Sequence, residues 1–307
     1  MNRRIALLIV GPTASGKSEL ALRISELLEC EIVSADSRQI FRYMDIGTAK
    51  PSVEERKRVV HHCIDIVDPD EYFSAGEYGK IARNIIEDIL DRKKIPVVVG
   101  GSGLYIRALV EGIFEGDYRD PQLREELKKK ISSCGIDEVY NELKKVDPKT
   151  ASRIHPNDKK RIIRALEVFR LSGQPMSKMQ EERTIAANFK TLFFGLKWPR
   201  EQLNKRIDLR VEKMLKWGLI DEVRRLRSMG YDLRYNSMDS VGYKELFRYL
   251  NGEISLEEAV NSIKRNTRRF AKRQMTWFRK NGRIIWIELK EPVDWHDVAV
   301  HVVESIK

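Results

Sequence analysis

Gly11-Pro12-Thr13-Ala14-Ser15-Gly16-Lys17-Ser18 decides the fold, because it fits G-x-x-x-x-G-K-[ST] in full. An apolar run, Ile5 to Val10, precedes it and a helix-like stretch, Glu19 to Leu28, follows. A strand that feeds such a loop into a helix gathers backbone N–H groups around an anion, and the helix N-terminus favours phosphate oxygens further. Lys17 adds a point charge, and the Ser18 hydroxyl suits a magnesium ion. The competing reading, a chance glycine turn, would leave the flanking strand and helix as coincidence. The motif marks a phosphate site without saying whose phosphates it holds.

Working outward, the first hundred or so residues alternate between strand and helix. Glu31-Ile32-Val33-Ser34 reads as a second strand ending at Ala35-Asp36-Ser37-Arg38-Gln39. Gly47-Thr48-Ala49-Lys50-Pro51 is a loop, and Cys63-Ile64-Asp65-Ile66-Val67 a short apolar stretch closed by Asp68-Pro69. Helical spacing of Ile81, Ile85, Ile86, Ile89 and Leu90 predicts a helix from about Ser74 to Arg92. Ile95-Pro96-Val97-Val98-Val99 is apolar enough to be covered on both faces, and it stops at Gly100-Gly101-Ser102-Gly103. The pattern predicts an α/β fold: a P-loop nucleoside-triphosphate-hydrolase-like parallel sheet. Ligands of such sheets lie at the carboxyl ends of the strands, where the phosphate loop, Asp36 and Gly100 to Gly103 converge.

From about residue 116 the texture becomes charged and helical, and no strand signal returns until Thr191 to Leu196. The expected organisation is a core of residues 1–115 and 191–307 with a helical insertion at 116–190. Within the insertion, Asn157-Asp158-Lys159-Lys160-Arg161 opens a helix, Ile162 to Leu171, and its first turn is crowded with cations. That is unfavourable against the helix dipole, so an offsetting anion is one reading and decoration the other. Further on, Leu203, Ile207, Val211 and Leu215 form an apolar face, while Arg206 and Arg210 stand one turn apart and can grip a phosphate together. Ser240 to Glu245 opens another helix. In Lys264 to Phe278, Lys264, Arg268 and Lys272 form one column and Arg265, Arg269 and Arg273 the next, with Ile263, Phe270 and Trp277 on a separate apolar stripe. No acid interrupts the cationic face, although like charges one turn apart disfavour a helix. A nucleic-acid backbone contact is the preferred reading.

Composition agrees. The 307 residues carry a formal net charge of +11 in an otherwise ordinary globular composition, which suggests an anionic partner. Cys30, Cys63 and Cys134 are too widely spaced for a disulfide framework or a zinc site, which points to a reducing compartment. No apolar run approaches the roughly 20 residues that span a bilayer, so a soluble, cytoplasmic protein with no membrane contact is expected.

Enzymes that hydrolyse or transfer nucleotide phosphates through such a loop use a second carboxylate at the end of a buried strand. Ile95 to Val99 ends instead in glycines and Ser102, which counts against ordinary nucleotide hydrolysis. Asp36 follows the second strand alone. It can cap a following helix, as Ser34 or Ser37 can, or accept a proton from a nucleophile. Spacing leaves both open.

GPTASGKSELA, SADSRQIFRYMDIGTAKP, HHCIDIVDP, VVVGGSGLYIRAL, HPNDKKRIIRALEV, VGYKE and NTRRFAKRQMTWFRK occur in this order. Together they resemble the tRNA dimethylallyltransferase (tRNA isopentenyltransferase) family through about residue 286. The resemblance implies transfer of a dimethylallyl group from dimethylallyl diphosphate to N6 of the adenine 3′-adjacent to the anticodon of tRNA. It implies that Gly11, Pro12, Thr13, Ala14, Ser15, Gly16, Lys17 and Ser18 bind the departing diphosphate with Mg2+, helped by Arg206 and Arg210. Asp36 matches the general-base position, and Ser102 a position where threonine is expected. Asp36, Ser37, Arg38, Gln39 and Ser102 are implied to touch the RNA. So are Arg124, Asp158, Lys159, Lys160, Arg161 and Ile162 in the insertion, read as an anticodon-stem clamp, and Arg268, Arg269 and Arg273 near the C-terminus. The chain departs from the family pattern at Ser102, which keeps the hydroxyl; at Phe41, where tyrosine is frequent; and at Lys160, where glutamine is usual. A monomer is expected. The runner-up is a P-loop kinase of a small molecule or nucleoside, and a third reading is an RNA-binding module with a vestigial loop.

Overall fold

The structure is a computed structural model that describes residues 4–306 apart from 115 and 117. In chain order it forms β1 (Ile5–Val10), α1 (Lys17–Leu27), β2 (Cys30–Ser34), α2 (Val53–Arg58), β3 (His61–His62), α3 (Ala75–Asp91), β4 (Ile95–Gly100) and α4 (Gly103–Val110). Five helices follow: α5 (Pro121–Cys134), α6 (Ile136–Val146), α7 (Pro148–Ala151), α8 (Lys159–Ser172) and α9 (Met176–Glu182). The chain continues through β5 (Lys190–Lys197), α10 (Arg200–Lys216), α11 (Leu219–Ser228), α12 (Tyr243–Leu250), α13 (Leu256–Phe278), β6 (Ile284–Glu288) and α14 (Trp295–Glu304). It divides into two compact units, Met1–Val110 with Ala187–Lys307, and Glu111–Ala186. The second unit thus runs over 111–186 rather than the expected 116–190, and at its ends Ala187 N–H donates to Val110 O at 3.0 Å.

All pairings in the first unit's sheet are parallel, in the order β3-β2-β4-β1-β5-β6. Alternate residues of β1 serve opposite faces: Ala6, Leu8 and Val10 join one buried cluster, Leu7 and Ile9 the other. Helices cover both faces, and each fully buried branched side chain contributes about 1.5–3 kcal/mol. Register then builds the crevice. Val10 lies opposite Gly100 and Ser34 opposite Val99, so the three strands end side by side. Gly100 is required there, because a Cβ on it would fall 2.1 Å from Ala35 O.

Some features differ from the expected pattern. The apolar stretch Cys63 to Val67 follows the short strand β3, His61–His62, and Cys63 and Asp65 take φ of +60° and +56°, turning the chain out of the sheet. β6 and α14 were not anticipated. On α13 the apolar row is also different. Ile263 is buried, but Phe270 and Trp277 are exposed, and the inward row runs Ala259, Ile263, Ala271, Gln274 and Phe278. A strict seven-residue stripe drifts by about 20° per repeat on a straight helix, so it leaves the face on which it began.

The loop that carries Asp36 is held by residues far away in sequence. The buried Glu222 carboxylate accepts the N–H groups of Asp45 (2.9 Å), Ile46 (2.7 Å) and Gly47 (3.1 Å) and the Tyr243 hydroxyl (2.6 Å). Lys50, buried to the ammonium, donates to Phe41 O at 2.6 Å and pairs with Asp45 and Asp65. In the second unit, Leu127, Ile131, Val139, Leu143, Ile162 and Leu166 form the core. Glu222→Ala leaves three main-chain donors without their acceptor, and a loss of about 3 kcal/mol or more is expected, read as a lower urea midpoint. Glu222→Gln, which keeps one acceptor oxygen, should lose less.

Candidate active site

The phosphate loop departs from regular structure where its sequence permits. Gly11 and Gly16 adopt φ of +148° and +92°, and Ala14 adopts +61°. Gly16 leads directly into α1, whose first residues are Lys17 and Ser18. Lys17 Nζ donates to Pro12 O at 2.7 Å, which closes the loop on itself. Ser15 Oγ is buried without a hydrogen-bond partner among the described residues. A buried hydroxyl of that kind costs about 1–3 kcal/mol unless a ligand or water satisfies it.

Lys17 and Arg210 line one cleft together with Thr13, Ser18, Ser34, Asp36, Gln39 and Gly100. Neither cation forms an ion pair among the described residues. Burial, and then repulsion from Arg210, lowers the Lys17 pKa to about 7, with the Asp36 carboxylate acting in the opposite direction. Arg210 is likewise depressed by burial, with Asp36 again opposing. Two cations that no ion pair neutralises among the described residues, with only partial compensation from Asp36, form a site suited to an anion.

The remaining expected residues sit as follows. No helix follows Asp36: its Oδ1 accepts Arg38 N at 2.9 Å in a turn, and Oδ2 has no hydrogen-bond partner among the described residues. Ser102 Oγ accepts Ser37 N at 2.9 Å and donates to Ser37 Oγ at 3.2 Å. Arg38 reaches Asn236 O at 2.8 Å, and burial lowers its pKa. Gln39 lines the cleft, but its amide is engaged internally, accepting from Ser34 Oγ and donating to Ala49 O at 3.0 Å. Arg206 is taken up more fully: Nε donates to Ala14 O at 3.0 Å, the guanidinium lies 4.3 Å over Trp198, and Nη1 pairs with Glu291. It braces the phosphate loop from outside.

In the first unit's α13, the column read as free is partly neutralised. Arg268 pairs with Asp208 and Lys264 with Glu212, both acids arriving on α10. Arg269 and Arg273 remain exposed, the latter 5.7 Å from the Phe270 ring. In the second unit, Ile162 is fully buried and has no surface to offer RNA. Arg124 is tied to the buried Glu167 at 2.6 and 2.9 Å, so its charge is used inside that unit. Asp158 caps α8 by accepting Arg161 N at 3.2 Å and offsets part of the charge there, while Lys159, Lys160 and Arg161 stay exposed.

Two residues of the cleft were missed. Gln274 is buried: its Oε1 accepts Thr13 N at 2.8 Å and its Nε2 donates to Gly101 O at 3.0 Å, tying the phosphate loop to the end of β4. Its signal was an uncharged residue on the inward row of a basic helix. Glu55 is a second carboxylate lining the cleft, with Oε2 accepting Ser52 N in a capping box.

A parallel sheet that delivers an anion cradle and a carboxylate to one crevice belongs to the P-loop class of enzymes acting on phosphorylated substrates. Comparison narrows this. The IPP transferase family model matches residues 39–281. The tRNA dimethylallyltransferase 2 of Geotalea uraniireducens is 49% identical over 97% of this chain and 96% of its own. The tRNA dimethylallyltransferase of Thermotoga neapolitana is 50% identical over 92% of each. Among solved structures, the tRNA isopentenylpyrophosphate transferase of Bacillus halodurans superposes with a TM-score of 0.74 at 39% identity, covering 99% and 96% of the two chains. A eukaryotic dimethylallyltransferase acting on tRNA reaches a TM-score of 0.81 at 30% identity, covering 98% of this chain and 78% of its own. The chain belongs to the IPP transferase family.

Because the folded Lys17 value lies below the ordinary 10.5, the unfolded chain binds more protons between about 7 and 10.5, and the Lys17 contribution to stability rises with pH through that window. Anion binding does the reverse, drawing the proton back. Calorimetry with inorganic pyrophosphate in buffers of different ionisation enthalpy should show, a unit above pH 7 and after correction for the ligand's own ionisation, proton uptake by the protein, and affinity that falls as pH rises further. Lys17→Met should abolish the uptake.

Proposed function

We propose that this chain transfers a dimethylallyl group from dimethylallyl diphosphate to the exocyclic N6 of the adenine 3′-adjacent to the tRNA anticodon, releasing diphosphate. The observation that carries this reading is the pair of half-buried cations, Lys17 and Arg210, without an ion pair among the described residues and lining the same cleft as Asp36. The diphosphate sits in the loop of Gly11 to Ser18. Lys17 and Arg210 attract the charge that grows on it as the C–O bond breaks. N6 forms the new C–N bond, and Asp36 accepts the proton that N6 loses. Adenine N6 is a weak nucleophile with its lone pair delocalised into the ring. Orientation and leaving-group stabilisation therefore contribute more than basicity. Ser102, its hydroxyl positioned by Ser37, supports the base or the diphosphate.

Mg2+ fits this donor set. The Ser18 hydroxyl lines the cleft beside Lys17 and Arg210, and among the described residues no cluster of three or more His, Cys, Asp or Glu offers an all-protein cage. A hard cation held mainly by substrate phosphates needs few protein oxygens, and when bound it supplies charge neutralisation at the leaving group.

Ser37, Arg38, Arg269 and Arg273 are the proposed tRNA contacts of the first unit. The second unit is proposed to bind the anticodon stem, with Lys159, Lys160 and Arg161 as its cations. The target base leaves its stack at a cost of a few kcal/mol, which is smaller in a single-stranded loop. The proposed setting is the cytoplasm, where the thiols of Cys30, Cys63 and Cys134 stay reduced, and the proposed active form is the monomer. Among the described residues no helix is long and apolar enough to cross a membrane. The kinase reading is less well supported: β4 ends in Gly100 rather than a carboxylate, and the full-length relatives carry transferase names.

Incubation with magnesium, labelled dimethylallyl diphosphate and unmodified tRNA should place label in the RNA; transfer of phosphate from ATP without RNA would instead favour the kinase. Asp36→Ala should lose about 100-fold or more of the transfer rate while its tRNA affinity stays within about twofold. Replacing Arg269 and Arg273 together should weaken tRNA binding and reduce its salt slope by about two. Arg268→Ala should chiefly destabilise the contact between α13 and α10.

A further inference from the structure

The outer rim of the phosphate loop is braced by a part of the chain beyond the residues 39–281 that match the family model. α14 begins at Trp295, and the indole lies against Gly16: a Cβ on Gly16 would fall 2.1 Å from Cη2 and 2.5 Å from Cζ2. Gly16 is the point at which the loop becomes α1, and α14 packs along α1. The start of α14 is itself fixed, since Asp294 accepts His296 N at 2.9 Å and Asp297 N at 3.2 Å. Four residues before Trp295, Glu291 pairs with the Arg206 that holds Ala14 O. Trp198 Nε1 holds the neighbouring carbonyl, Ser15 O, at 2.9 Å.

Three consecutive loop residues are therefore gripped from outside. A planar trans peptide points its C=O and N–H in opposite directions, so the carbonyl held by Trp198 directs the Gly16 N–H away from that side. The indole then closes the space into which Gly16 would otherwise relax.

We propose that Trp295 is a positioning residue for the diphosphate. Carried on α14 and supported by the Glu291–Arg206 pair, it holds the phosphate loop in its anion-binding shape before substrate arrives. The inference rests on the diphosphate reading given above. Preorganisation of this kind acts on the substrate that uses the loop and leaves the second substrate untouched.

The test uses the full chain with magnesium. Inorganic pyrophosphate binding is measured by calorimetry, and steady-state kinetics are measured with dimethylallyl diphosphate and tRNA. Trp295→Ala should weaken pyrophosphate about tenfold and raise KM for dimethylallyl diphosphate in parallel, with kcat and KM for tRNA within about twofold. Trp295→Phe, which restores a ring against Gly16, should recover most of the loss. Where Trp295→Ala does not fold, Glu291→Gln reads the same rim through Arg206 and should weaken pyrophosphate about threefold. Unaltered pyrophosphate affinity in the folded variants, with wild-type binding intact, overturns the positioning role and leaves the diphosphate reading standing. A wild-type chain that binds no pyrophosphate overturns both.

Discussion

Positive charge that no ion pair neutralises among the described residues is the condition on which the rest of this structure depends. Lys17 and Arg210 are half-buried beside a glycine-bearing loop, and that burial appears in the lowered pKa of both. A chain keeps such groups apart from carboxylates only if its surroundings hold them there. The sheet does this by register: Val10 opposite Gly100 and Ser34 opposite Val99 bring three strand ends level, so the loop, Asp36 and Ser102 meet at one edge. Gly100 lets the backbones approach at this edge, where any Cβ would collide with Ala35 O.

Three polar residues near the cleft are structural by position. Glu222, Lys50 and Gln274 are buried and bonded, and each fixes a segment that borders the cleft. Glu222 replaces a missing stretch of secondary structure by accepting three consecutive main-chain N–H groups. Gln274 uses both ends of its amide to tie the phosphate loop to the end of β4. The contrast with Asp36, which keeps an oxygen unbonded among the described residues, separates the group available for chemistry from those that hold it in place.

The basic helix α13 shows how far a one-dimensional reading of charge extends. Along the chain no acid interrupts Lys264 to Arg273, yet α10 presents Asp208 and Glu212 to two of those cations. What remains for an anionic partner is Lys272 and the neighbouring column, with an exposed Phe270 and Trp277 beside it. Arg124 and Arg206 illustrate the same lesson: each guanidinium finds a carboxylate distant in sequence, Glu167 and Glu291 respectively.

Local patterns determined a good deal. The eight-residue loop between strand and helix, the apolar run into Gly100 and the recurring turns were enough to place a parallel α/β sheet, a phosphate cradle and Asp36 in one crevice. These features follow from steric and hydrogen-bonding rules that act over a few residues. Other features were set by the tertiary structure alone. Only packing decided which arginines are neutralised, that Ile162 is core, that β3 is the short His61–His62 segment, and that α14 returns to cover Gly16. Each depends on pairs of groups far apart in the chain, and the separation at which such groups meet is settled by how helices and sheet pack together.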